Sequence, residues 1–129
     1  MNNFLGIDWG ISMIGLSLAD EETRIAFAYD TLKNDNNFFS KLSAIIKEEL
    51  VGVIVLGVPV TESHNISFNA KEVGARMEKE LGVKVFYQDE MFTTKIAEKN
   101  LINRDLKKIK RFDNQESARI ILQDWLDKK

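Results

Sequence analysis

An α/β fold with a mixed five-stranded sheet is what this sequence predicts, and three observations carry the prediction. Three short apolar segments follow one another in the first thirty residues, separated by tight turns. A continuous β-branched run, Val53-Ile54-Val55-Leu56-Gly57, then reads as a strand buried on both faces. From there on, apolar segments alternate with stretches of helical spacing, the pattern of βαβ crossovers.

Taken in order, residues from about Phe4 to Trp9, Gly15 to Ala19 and Arg24 to Tyr29 are expected as strands. Gly10 and the Asp20-Glu21-Glu22 cluster mark the turns between them. Their short spacing predicts an antiparallel meander. Asn34-Asp35-Asn36 offers N-cap residues for a first helix. Phe38, Phe39, Leu42, Ile45, Ile46 and Leu50 recur at three- and four-residue spacing along it. After the buried strand, Gly57-Val58-Pro59 forms a stop. A second helix is expected from about Asn65 to Leu81, ended by Gly82. Val83 to Tyr87 is the fifth strand and leads into Gln88-Asp89-Glu90. Thr93-Thr94 caps a third helix to about Leu101. A basic loop then precedes a last helix from about Asn114 to Leu126. The order β-β-β-α-β-α-β-α-α places helices on both faces of the sheet.

The chain has 129 residues, no internal repeat and no linker, so residues 1–129 are expected to form a single domain. A hydrophobic fraction of 44% with 29% charged residues is that of a soluble globular protein. No apolar run reaches the roughly 18 residues of a membrane span, and no basic region precedes the first apolar run as in a signal peptide. Cysteine is absent, which removes disulfide and thiolate chemistry and fits a reducing cytoplasm. A single histidine, His64, argues against a zinc site.

Charge is unevenly spread. Between Lys95 and Arg111 stand seven basic residues and two acidic ones, a local charge of +5 within a chain of net charge −2. That asymmetry is the footprint of a polyanion-binding segment on an otherwise acidic protein. Lys107, Lys108, Lys110 and Arg111 are its densest part and the candidate nucleic-acid contacts.

Asp8 is the leading candidate for chemistry. A carboxylate inside the apolar run Leu5-Gly6-Ile7-Asp8-Trp9-Gly10 is costly unless something binds or pairs it. Further acids stand at element ends: Asp89 and Glu90 after strand five, Asp113 and Glu116 at the start of the last helix. Clustered carboxylates stay ionised beside a cation, and hard oxygen ligands select magnesium or manganese. Two such ions can activate a water against a phosphodiester. Beside a basic segment, this points to a nuclease. The same positions also suit structural roles. Acids before a Thr-capped helix favour its dipole, and Asp113 and Glu116 serve equally as a cap and a first-turn acid. Trp9 and Trp125 read as packing residues and His64 as a loop residue.

Four blocks in order then resemble the YqgF/RuvX family. They are Gly6-Ile7-Asp8-Trp9-Gly10 with Ile14-Gly15, Ile54-Val55-Leu56-Gly57-Val58-Pro59, Asp89-Glu90-Met91-Phe92-Thr93-Thr94, and Ser117-Ala118 with Ile121-Leu122-Gln123. The resemblance spans nearly the whole chain. It implies an RNase H-like fold, which the element order also fits, and a divalent-metal nuclease acting in pre-16S rRNA 5′-end processing. Holliday junction resolvase-like activity on DNA is the alternative, as is a non-catalytic nucleic-acid-binding or ribosome-assembly module. The resemblance implies Asp8, Glu90 and a third acid as catalytic ligands of Mg2+ or Mn2+, in a monomer or homodimer. Asp113 is the expected third acid. Ungapped, the family's aspartate falls on Asn114, and Glu116 is the other candidate. Ser12-Met13 and Met91 stand where the family commonly carries basic residues.

Overall fold

Apolar alternation in the first third of the chain becomes three antiparallel strands: β1 (Asn3–Asp8), β2 (Met13–Ala19) and β3 (Ala26–Lys33). There follow α1 (Phe38–Glu48), β4 (Val51–Val58), α2 (Ala70–Leu81), β5 (Lys84–Asp89) and α3 (Leu106–Asp127). This computed structural model describes residues 2–58, 70–89 and 106–128, with Asp89 and residues 106–113 as backbone only. The sheet order is β3-β2-β1-β4-β5, with β4 parallel to both β1 and β5. The meander and the mixed five-stranded sheet are those expected from the sequence. No helix among the described residues is long and apolar enough to cross a membrane.

Side chains alternate across a strand, and the two faces of this sheet differ in kind. One buries Leu5, Ile7, Ile14, Leu16, Leu18, Ile54 and Leu56 against Phe38, Leu42, Ile45 and Ile46 of α1 and Met77 of α2. Trp9 joins this face edge-on to Phe38, with ring centroids 5.4 Å apart. Tyr29 ties β3 to the end of α1 by donating its hydroxyl to Glu49 at 2.9 Å. Burial, then that hydrogen bond, pushes the Tyr29 hydroxyl up to about 12. The other face carries α3, whose Ile121, Leu122, Trp125 and Leu126 pack on Phe4, Ala19, Ala26 and Val55. β4 lies between the two, so its β-branched run is apolar on both sides.

Several boundaries differ from expectation for identifiable reasons. β3 begins at Ala26 and continues to Lys33, because Leu32 and Thr31 keep pairing with Ile14 and Gly15. Helix α1 is capped at Asn37, not at Asn34 to Asn36. The Asp35 carboxylate accepts the Asn37 N–H at 2.9 Å in an Asx turn, while Asn34 serves the β1–β2 turn. Gly82 ends α2 at φ +68°, the left-handed conformation glycine adopts without strain. The largest difference is at α3, which already starts at Leu106, so Lys107, Lys108, Lys110 and Arg111 stand on a helix and not in a loop. Leu106, Ile109 and Phe112 recur every third residue among good helix formers, a signal that the basic run masks. Residues 65–69 and the helix expected between Thr93 and Leu101 lie outside the described residues, as do Pro59 and His64.

Candidate active site

Asp8 ends β1 on the face that α3 covers. Phe4 of β1 packs under α3, and the alternation through Gly6 brings Asp8 to the same side. In β2 Asp8 pairs with Gly15, which pairs in turn with Thr31 of β3. On its other side, one step beyond the Ile7–Leu56 pair, Asp8 comes level with Gly57, whose β5 partner is Gln88. The carboxylate therefore stands between two glycines in a row of small and polar residues. It is partly buried and has a polar or electrostatic partner of its own.

Those glycines let α3 approach at backbone distance. A Cβ at Gly6 would lie 2.8 Å from the Ala118 carbonyl and 2.7 Å from Leu122 Cβ. A Cβ at Gly15 would overlap the Asn114 carbonyl and stand 2.7 Å from Asn114 Cβ. Between these contacts the buried Ser17 hydroxyl donates to the Ala118 carbonyl at 2.7 Å. The helix is also held at both flanks. Gln123 accepts the Ala26 N–H at 2.8 Å and donates to the Arg24 carbonyl at 3.2 Å. On the β5 side, buried Gln88 donates to Asp124 at 2.5 Å, and Lys128 lies 3.4 Å from the same carboxylate. Thr31 Oγ1, in the Asp8 row, is buried with no hydrogen-bond partner among the described residues.

Helical periodicity then sorts the candidates for a third acid. Asn114 and Ala118 are one turn apart and both face the sheet at Gly15 and Gly6. Glu116 is two residues from each, about 200° round the helix from Asn114. Its carboxylate accepts two hydrogen bonds from Arg119, at 3.1 and 2.6 Å. Those bonds hold the guanidinium protonated above its ordinary value, against the opposing effect of burial. Asp113 stands one residue before Asn114 on α3 and is described by its backbone only. The structure thus brings Asn114 to the strand beside Asp8 and turns Glu116 away from that contact. Glu90 lies outside the described residues, immediately after β5. Ser17 and Gln88 are not singled out in the sequence reading, although a polar residue in an apolar strand is a signal that marks them, and Asn34 reads there as an N-cap and not as the clasp of the β1–β2 turn.

With this geometry in place, the chain can be compared with known proteins. The RuvX family, described as Holliday junction resolvase, matches residues 2–128. The chain belongs to the RuvX family. A relative from Dictyoglomus thermophilum, named as a pre-16S rRNA nuclease, is 34% identical over 95% of this chain and 94% of its own length. Another of that name from Lactococcus lactis is 33% identical over 95% and 92%. Among solved structures, Thermus thermophilus RuvC in complex with a Holliday junction substrate aligns at TM-score 0.66 and 16% identity, covering 99% of this chain and 95% of that one. The Fowlpox virus resolvase, also bound to a Holliday junction, aligns at 0.61 and 9% identity, covering 98% and 97%. At such identities the likeness is one of fold, the RNase H-like arrangement expected from the element order. Of the residues weighed for the third acidic position, Asn114 is the one that the structure sets directly on Gly15.

Proposed function

We propose that this RuvX chain is a divalent-metal-dependent endonuclease that hydrolyses phosphodiester bonds in structured nucleic acid, with 5′-end processing of pre-16S rRNA as its task. One observation carries the reading. The glycine-flanked Asp8 lies where α3, with four basic residues among its first six, is brought down onto the sheet. Cations in the first turns of a helix oppose its dipole at a few tenths of a kcal/mol each. Helix stability therefore does not account for them, which supports a polyanion as their partner.

The donor set fits a hard cation in kind. Asp8 and the Asn114 amide both offer oxygen, and histidine and cysteine are not among them. Asp8, Glu90 and Asp113 would hold Mg2+ or Mn2+, with Asn114 alongside. Bound there, such ions supply an activated water and charge neutralisation at the phosphodiester. The chain's own part is positional: Gly15 admits the α3 backbone beside the strand position paired with Asp8, and Lys107, Lys108, Lys110 and Arg111 attract and orient the nucleic-acid backbone. Affinity should then fall steeply with salt. A cysteine-free nuclease of this kind is suited to the cytoplasm.

The test is metal-dependent cleavage of a pre-16S rRNA fragment, with a four-way DNA junction in parallel. Wild type is expected to cut the RNA, and Asp8→Asn to lose at least about a hundredfold in rate, as when a principal electrostatic group is removed. Equal rates in the two would sink the reading. Asn114 on Gly15 favours a second reading, a nucleic-acid-binding module whose metal site has lost a charge. Calorimetric titration separates the two, because the module would take up no manganese at millimolar concentration whereas the enzyme would.

A further inference from the structure

The turn that follows Asp8 has a feature that metal binding and backbone attraction leave unused. Ile11, three residues beyond the carboxylate, is 86% exposed, the most exposed large apolar side chain among the described residues. Its neighbours are fixed in place. The Asn34 side chain donates to the Gly10 carbonyl at 2.8 Å, and the Asn34 N–H donates to the Ser12 carbonyl at 2.9 Å. Trp9 anchors the near side against Phe38. Gly10 closes the turn so tightly that a Cβ there would overlap the Met13 carbonyl.

A scattered exposed isoleucine needs no explanation. This one is presented on a turn held at both flanks, within one turn's length of Asp8. Its β-branched side chain has little rotamer freedom to lose on contact. The surroundings name the chemistry of the occupant. A chain drawn in by the cations of α3 is a polyanion, and the apolar part of a nucleic acid is the face of a base. Paired bases stack on one another and hide that face; only an unstacked base offers it. Apolar side chains inserted at base steps are a general means of exploiting this.

We propose that Ile11, held out on the clamped β1–β2 turn, is an apolar wedge that contacts an unstacked base beside the phosphate presented to Asp8. The wedge selects nucleic acid in which a helix is interrupted. This rests on the nuclease reading of the Asp8 site. It assigns to the turn the specificity that phosphate contacts do not supply.

The experiment uses the full chain in an Asp8→Asn background, so that substrate survives. An RNA hairpin carries the fluorescent adenine analogue 2-aminopurine at the junction of stem and loop, and a fully paired duplex serves as control. Binding to the hairpin is expected to raise the fluorescence as the base unstacks. Ile11→Ser, a change at an exposed position, is expected to remove most of that rise and weaken hairpin binding about fivefold, the loss of roughly 1 kcal/mol of apolar contact. Duplex binding should change less than about twofold. Asn34→Ala, which releases the turn but keeps Ile11, should reproduce part of the loss. Equal loss on hairpin and duplex, or no change on either, overturns the wedge. Failure of the underlying reading looks different: wild type then cleaves the RNA no faster than Asp8→Asn, whatever Ile11→Ser does to binding.

Discussion

The two faces of the sheet hold their helices by opposite means. Toward α1 and α2, large side chains interdigitate, with Leu5, Ile7, Ile14, Leu16, Ile54 and Leu56 all fully buried. Each such side chain contributes about 1.5 to 3 kcal/mol by burial, and the helices stand off at side-chain distance. Toward α3, the sheet offers Gly6, Gly15 and Ser17, and the helix backbone itself comes down onto it. The first face contributes more apolar burial, and the second sets the placement of the site. A side-chain interface can relax when a methyl group is lost, whereas a backbone resting on a glycine has no rotamer to adjust. The acid at the end of β1 lies on the face with the stiffer contact.

This contrast can be broken in three ways. Leu42→Ala, in the centre of the apolar face, is expected to lower stability most, by about 3 to 4 kcal/mol in denaturant unfolding. Manganese and nucleic-acid affinity of the remaining folded protein should stay as in wild type. Gly15→Ala is expected to cost somewhat less, about 2 to 3 kcal/mol, since the added methyl overpacks against Asn114. Here manganese affinity should fall as well, because α3 must lift from the strand that pairs with Asp8. If Leu42→Ala disturbs the site as much as Gly15→Ala, the division of labour between the faces is wrong. Thr31→Val should have the smallest effect, within about 1 kcal/mol and toward greater stability, since it removes a buried hydroxyl that lacks a partner among the described residues. A clear loss of stability from Thr31→Val would mean that the hydroxyl is satisfied when the protein is in solution.

How much of this was legible in the sequence depended on periodicity and range. The meander, the doubly buried β4 and helix α1 follow from patterns confined to a dozen residues, so they could be read directly. The cap of α1 slipped to Asn37 because four consecutive polar residues, Asn34 to Asn37, all suit that position. Asn34 is taken by the β1–β2 turn and Asp35 by the Asx turn to the Asn37 N–H, contacts that a local pattern does not show. The early start of α3 was hidden by its lysines, which resemble a solvated loop when read by composition. Within the site, Asp8 stood out because a charge in an apolar strand is anomalous by itself. The third acid was ambiguous, since Asp113, Asn114 and Glu116 are all plausible at a helix start. The choice among them depends on which side of the helix meets Gly15, a contact about a hundred residues away in sequence and invisible to any local pattern.

That separation has a consequence for how the molecule comes into being. The hydrogen bond from Ser17 to Ala118 closes a gap of 101 residues, and contacts of such range form late because the intervening chain must first be ordered. During synthesis β1 and β2 emerge early, and the face opposite α3 can assemble with α1, β4 and α2 as they follow. Among the described residues α3 alone covers the Asp8 face, and it is made last. A ribosome-bound chain thus carries Asp8 for most of its synthesis without the helix that packs over its face of the sheet. The order in which the parts are made leaves the surroundings of Asp8 to be assembled last.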